Sequence, residues 1–241
     1  MFNKNIFFEK IFEIFSNKKI PNIDLHLHTN YTDGEHSPEE MINFSRGKCF
    51  SALLFSEHSR RLNSEDWFFK FEEEIRSYKI LDCDILVGTE VKVLNFNGDL
   101  DLSNKIKNKC DIVMGSVHRF PGETGDKLMK KMSHSQDEAV KTEFMLSMAA
   151  IENPNLDILG HPMGMSIRRF NCNPSINYFE DIIKKCKNFH KVFEINSRYH
   201  KNIEELLRLC IKHGTLISIG SNAHRKEEIG SVVKYLSKHY K

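Results

Sequence analysis

The six cysteines (Cys49, Cys83, Cys110, Cys172, Cys186 and Cys210) never form a C-x-x-C pair. That absence excludes a zinc ribbon and a thioredoxin-type motif on spacing grounds. Reduced and mostly buried thiols are the expectation. An excess of one charge is also lacking: 35 Lys and Arg against 33 Asp and Glu leave a formal charge of +2. So small a surplus gives no support to nucleic-acid binding by bulk electrostatics. No apolar run reaches membrane-spanning length. The segment MFNKNIFFEKIFEIFS comes nearest, but Lys4, Glu9, Lys10 and Glu13 interrupt it. It reads as an amphipathic helix within residues 1–20, with Phe8, Ile11, Phe12 and Phe15 turned toward the body. Repeats, low-complexity tracts and Gly/Ser linkers are missing too. One domain, in the cytoplasm, is therefore expected.

What is present is a soluble balance of 40% hydrophobic and 28% charged residues in 241 positions, enough to bury a substantial core. Seven apolar runs read as strands: 22–28, 52–58, 84–91, 111–118, 156–161, 191–196 and 215–224. Segments of helical periodicity separate most of them, among them SPEEMINFSRGKC with its Ser-Pro start and early acids. The stretch between Glu90 and Asp111 is the least helical. Strands alternating with helices imply a parallel sheet, and near-continuous apolar strands imply burial on both faces.

Each run ends in a polar residue that packing does not require: His28, His58, Glu90, His118, His161, Glu194 and His224. In an α/β barrel the C-terminal strand ends share one mouth, whereas an open sheet would gather such residues at a single switch point. Their spread over all seven runs favours the barrel. Residues i and i+2 of a strand share a face, so His26 and His28 can address one centre, and Asp33 follows in a T-D-G turn. Imidazoles and carboxylates clustered in a mouth are costly without cations. With cations they form the N/O donor set of Zn, Mn or Fe. A single histidine of this kind would more often be structural; the joint pattern points to metal.

In this order, DLHLHT, DG, SP, SEH, GTEV, GSVH, GHP, EIN and SNAHR resemble the PHP (polymerase and histidinol phosphatase) superfamily over about residues 22–230. The resemblance implies a distorted seven-stranded (β/α)7 barrel with two to three divalent transition metals at its C-terminal face, acting on phosphate esters. It assigns His26, His28, Glu90 and position 222 to a first metal, and Glu90, His118 and His161 to a second. Asp33, His58 and His224 fall to a third. The family pattern has Asp at position 222; this chain has Asn222, a neutral donor that lowers the negative charge around the first metal.

Paired metals can bridge a water, lower its pKa and present hydroxide to phosphorus. Arg119, Arg198 and Arg225 sit beside motif residues and are expected at the mouth as partners for phosphate oxygens; two of them resemble arginines of histidinol-phosphatase-like members. Arg60, Arg61, Arg168 and Arg169 are expected in strand-to-helix loops. Glu57 is a candidate for a supporting or proton-carrying role, and Glu194 for orienting a ligand or meeting the substrate. Asp24 reads as a partner of nearby backbone, Trp67 as core. His36, His134, His190, His200, His213 and His239 read mostly as surface, with His200 near the mouth. Residues 119–135 read as a lid. The expected partner is a small anionic phosphate ester, histidinol phosphate first among the candidates. The rivals are a nuclease or nucleotide phosphatase and a non-catalytic metal-binding module. The oligomeric state is left open.

Overall fold

The computed structural model describes residues 2–122 and 135–240. Its elements are α1 (Lys4–Ser16), β1 (Ile23–Leu27), α2 (Pro38–Ser45), β2 (Ala52–Ser59), α3 (Asp66–Ser77), β3 (Asp84–Lys92), α4 (Asn104–Lys107) and β4 (Ile112–Ser116). There follow α5 (Gln136–Ile151), β5 (Ile158–Leu159), α6 (Gly164–Arg169), α7 (Ile176–Asn188), β6 (Val192–Asn196), α8 (Ile203–His213), β7 (Ile217–Gly220) and α9 (Ser231–His239). All seven strands pair in parallel in sequence order. A Leu27–Ala223 bridge joins β1 to the segment after β7, which brings the sheet close to a closed barrel. The expected seven-stranded α/β barrel is what forms.

Two helices start on serine caps, as expected. Ser37 and Ser135 open α2 and α5 in full capping boxes with Glu40 and Glu138. In α1, Phe8, Ile11 and Phe15 are buried and Phe12 is partly so. Burial of each Phe contributes about 1.5–3 kcal/mol. Lys4 pairs with Asp157, immediately before β5, at 2.6 Å. Helix α1 therefore lies against the N-terminal ends of the strands, opposite the mouth. Trp67 packs on the edge of the second core cluster.

Three local expectations need correction. The run 156–161 yields a strand of only two residues, because the chain turns outward at His161, where φ is +27°. Arg168 and Arg169 lie on the short helix α6 rather than in a loop. The segment KEEIGSVVKYLSKHY is broken at Gly230, φ +79°, into a 3-10 turn and α9. Of the expected lid, residues 123–134, including His134, lie outside the described residues.

The closing seam is held by Asp24. Its Oδ1 accepts from Ser221 N at 2.9 Å, and its Oδ2 accepts from Ser221 Oγ at 2.6 Å and Gly230 N at 2.7 Å. One carboxylate on β1 thus fixes both the exit of β7 and the start of α9, and the expected backbone partnership is realised. Asp24→Ala leaves those buried donors unpaired. Urea unfolding should show a loss of roughly 3 kcal/mol, and an unchanged midpoint would remove Asp24 from the seam.

Candidate metal centre

The floor of the mouth is built by β1 and its neighbours. His26 and His28 are fully buried, and their Nε2 atoms lie 3.0 Å apart. Both nitrogens address one point, as the i, i+2 spacing implies. His26 is fixed from behind: its Nδ1 donates to Glu194 Oε1 at 2.7 Å, which leaves Nε2 as the donor to the centre. The same carboxylate accepts from His161 N at 2.5 Å and Asn196 Nδ2 at 2.9 Å. Gly220 makes this crowding possible, since a Cβ there would strike Glu194 and stand 2.5 Å from His26 Cβ.

Glu90, on β3, stands at the middle. Its Oε1 lies 2.8 Å from His161 Nε2 and 3.1 Å from His118 Nε2. Its Oε2 lies 3.3 Å from His26 Nε2, 3.4 Å from His28 Nε2 and 3.2 Å from His58 Nδ1. The β2–β3 register sets His58 directly opposite Glu90.

The outer part comes from two loops. Asp33 Oδ2 is 3.5 Å from His58 Nε2 and 3.3 Å from His224 Nε2. The Asp33 loop is folded tightly onto β1, since a Cβ on Gly34 would sit 2.5 Å from the His28 carbonyl. Glu57 lies under it, accepting from Thr29 N at 2.6 Å, from Thr29 Oγ1 at 2.5 Å and from Thr32 Oγ1. Glu35 N donates to His224 O at 2.7 Å and joins the two loops. His224 Nδ1 donates to Asn222 O at 3.0 Å, which turns Nε2 toward Asp33. Asn222 is buried, at φ +53°, a conformation Asn tolerates.

Charges follow from this packing. Burial acts against the charge on Glu90, but His118 and His26 hold it well below the usual carboxylate range. Burial also opposes protonation of His26, yet Glu194 and Glu90 outweigh it and push the ring up to about 10. His28 is held well below its ordinary value by burial and by His58. Burial works against ionised Asp33, and hydrogen bonds from His224 and His58 reverse it.

The residues fit metal ions. Asn222 Oδ1, Glu90 Oε2 and His28 Nδ1 are buried without a hydrogen-bond partner, a costly state for polar atoms unless a cation meets them. Three overlapping triads bring their donor atoms within 4.8 Å: His28, His58, His224; His26, Glu90, His161; and His58, Glu90, His118. The seven residues of these triads form one continuous cage through the shared His58 and Glu90, Asp33 joins it at His58 and His224, and Asn222 lies beside His224 at the cavity. Above it opens a cavity of about 770 Å³. Asp33, His58, Glu90, His118, Asn222 and His224 reach it; His26, His28 and His161 lie beneath.

Arg119 and Arg198 line this cavity, and so do Arg60 and Arg168. Arg225 does not: it extends to the surface, where Nε donates to Glu35 Oε1 at 2.8 Å. Glu57 does not reach the cavity either, since its oxygens are engaged by Thr29 and Thr32. Two contributors, Tyr199 and Glu143, escaped notice in the sequence, and a third, His200, was expected near the mouth but not as a buried residue. Tyr199 stacks on His161 with centroids 4.2 Å apart, and Arg168 lies 5.2 Å from its ring. Glu143, on α5, accepts from Met165 N at 3.0 Å and Ser166 N at 2.6 Å, which holds the start of α6. His200 is buried rather than surface, accepting from Asn196 N at 3.1 Å and donating to Pro162 O at 2.9 Å. The sequence signal for Tyr199 and His200 was proximity to the EIN motif; Glu143, on α5 and remote from both motifs, carried none.

The sequence profile described as the PHP domain matches residues 24–220. A probable phosphatase of Clostridium novyi is 28% identical over 228 residues, covering 88% of this chain and 82% of its own. A histidinol phosphate phosphatase of Lactococcus lactis, solved with zinc, L-histidinol and phosphate, superimposes with a TM-score of 0.63 at 17% identity, covering 90% and 93% of the two chains. A candidate histidinol phosphatase of Listeria monocytogenes gives a TM-score of 0.70 at 18% identity, covering 90% and 99%. At these identities the two structures establish the likeness of fold.

Glu194→Ala should weaken metal binding about 10- to 100-fold in competition with a chromogenic chelator, with the circular dichroism of the fold retained. Unchanged affinity would deny Glu194 its hold on His26. His200 supplies a second test in the metal-free protein. Burial pushes its ring down to about 4 from 6.5, so its contribution to stability is complete above pH 6.5 and is lost as the pH falls toward 4. Over that window wild type should lose up to about 3 kcal/mol more than His200→Gln in urea titrations; parallel curves would refute it.

Proposed function

This chain belongs to the PHP domain family, and on that premise we propose that it is a metal-dependent phosphatase acting on a small phosphomonoester, with histidinol phosphate the first candidate. The observation that carries the reading is the division of labour at Glu90. One oxygen faces His118 and His161, and the other faces His26, His28 and His58. That division supports Glu90 as a shared donor: His26, His28 and Asn222 would hold one divalent ion with it, and His118 and His161 would hold another. The approach of His58 and His224 to one oxygen of Asp33 supports a third position. Zinc, manganese or iron suits this mixture of imidazole, carboxylate and amide donors.

Bound divalent ions supply an activated water and charge neutralisation for the phosphoryl group. The chain's own residues do the rest. Glu194 holds His26 so that its ring cannot turn away. Glu57 fixes the loop that presents Asp33. Arg198, whose guanidinium donates to Asn222 O at 3.2 Å, and Arg119 stand on the cavity wall, where planar forks pair with phosphate oxygens and orient them over the cage. The Arg198 fork is itself steadied by Glu228, 3.5 Å away. Arg225, tied to Glu35 outside the cavity, takes no part.

A panel of histidinol phosphate, p-nitrophenyl phosphate, nucleoside monophosphates and a single-stranded oligonucleotide, assayed with added Mn or Zn, tests the reading. Phosphomonoesters should be hydrolysed in a metal-dependent way, and His118→Ala should lower kcat on the order of 100-fold or more. Full turnover by that variant would exclude His118 from the centre. Turnover confined to the oligonucleotide would favour a nuclease, and metal uptake without turnover a binding module.

A further inference from the structure

The donor cage is short of negative charge. Six of its nine members are imidazoles (His26, His28, His58, His118, His161 and His224), and Asn222 is a neutral amide. Glu90 and Asp33 are the only carboxylates in it; Glu194 adds a third through its bond to His26. Two divalent cations facing three carboxylates leave about one positive charge, whereas three leave about three. Uncompensated charge in a partly buried site is expensive. On the same cavity wall Arg60, Lys92, Arg119, Arg168 and Arg198 outnumber the one further carboxylate, Asp101, and make it more so.

The deficit does not fall evenly. Glu90 is 1% exposed, His26 and His28 0%, and His161 2%. In the outer trio, Asp33 is 52% exposed, His58 30% and His224 21%. Apart from His118, which is 29% exposed, the inner donors have no water to return to when an ion leaves. Outer donors do, so hydration competes there directly with the ion. The outer position thus has the weaker hold, and it borders the cavity where an anionic substrate enters and can offset the charge of the whole cage.

We propose that the centre retains two divalent ions at rest, and that the ion at Asp33, His58 and His224 is held only together with a phosphate group. Phosphate supplies the missing negative charge from the cavity side, between the outer trio and the arginines. Because linkage is reciprocal, phosphate tightens the outer ion by the same factor by which that ion tightens phosphate. Product phosphate then leaves with the outer ion loosened, so turnover depends on the concentration of divalent metal in solution even when the inner pair is full. The inference rests on the phosphatase reading and adds to it a substrate-linked metal.

The test counts metal. Metal-free full-length protein is reloaded with excess manganese and desalted in the presence or absence of inorganic phosphate. Manganese per chain is then measured by plasma mass spectrometry, and each preparation is assayed for p-nitrophenyl phosphate hydrolysis. Wild type should hold two equivalents without phosphate and three with it. Asp33→Asn should stay at two in both conditions. Asn222→Asp, which adds a carboxylate to the cage, should hold three in both. By calorimetry, phosphate should bind wild type at least about 10-fold more tightly in millimolar manganese than with the inner pair alone. Three equivalents without phosphate, or no gain with it, in a preparation that turns over would overturn the linkage and leave the phosphatase standing. A preparation that takes up no metal and hydrolyses no ester would bring down both.

Discussion

A carboxylate buried to 1% exposure at the centre of a barrel is the constraint on which the rest of this molecule depends. Taking Glu90 out of water costs several kcal/mol unless opposite charge and hydrogen-bond donors meet it. Here five imidazoles do so, within 2.8–3.4 Å, delivered by four different strand ends. β1 brings His26 and His28, β2 His58, and the exits of β4 and β5 bring His118 and His161. An open sheet could not surround one side chain from so many directions. A closed one does so automatically, because its C-terminal ends converge. Glu90 and the barrel therefore specify each other: the fold supplies the ring of donors, and the charge at its centre penalises any arrangement that lets the ring drift apart.

Around that centre, other buried acids act on backbone rather than on ions. Asp24 accepts from Ser221 and Gly230, Glu57 from Thr29, Glu194 from His161, and Glu143 from Met165 and Ser166. A carboxylate is an acceptor only, with room for several donors on two oxygens, so one side chain can fix two loop atoms at once. Burial raises Asp24 to about 6 and Glu57 and Glu143 to about 7, in each case against hydrogen bonds that pull the other way. The loops that carry the outer donors thus rest on buried acceptors, Glu57 beneath the Asp33 loop and Asp24 on Ser221 beside Asn222.

Strand-end chemistry was legible in the sequence because it violates packing logic: an apolar run has no reason to stop on His58 or His161. That same irregularity revealed the barrel. The failures share a different cause. Arg225 follows His224 directly, yet adjacency does not fix direction, and Glu35 draws it away from the cavity. Glu57 precedes His58 on one strand, so the two must point to opposite faces; alternation alone could have excluded it from the cavity. His200 was placed near the mouth but its burial was missed, because nothing in its own neighbourhood is apolar enough to announce it. Its partners, Asn196 and Pro162, belong to two separate strand exits that only the closed barrel brings together. Tyr199 and Glu143 were invisible for the same reason: their roles are contacts between loops, and no periodicity encodes those.

Closure of the barrel and assembly of the outer donors are one event. The segment after β7 is held on β1 by His28 N to Ala223 O at 2.9 Å, by Ala223 N to His26 O at 3.2 Å and by Asp24 on Ser221. Those bonds leave Asn222 in a left-handed conformation between them, its Oδ1 turned inward without a partner, and set His224 over Asp33. A chain whose seam has opened cannot present Asn222 or His224 to anything. Free energy gained by any ion held between Asn222, His224 and the inner donors would therefore also be free energy of seam closure, and the buried Asn222 Oδ1, costly without a partner, would gain one.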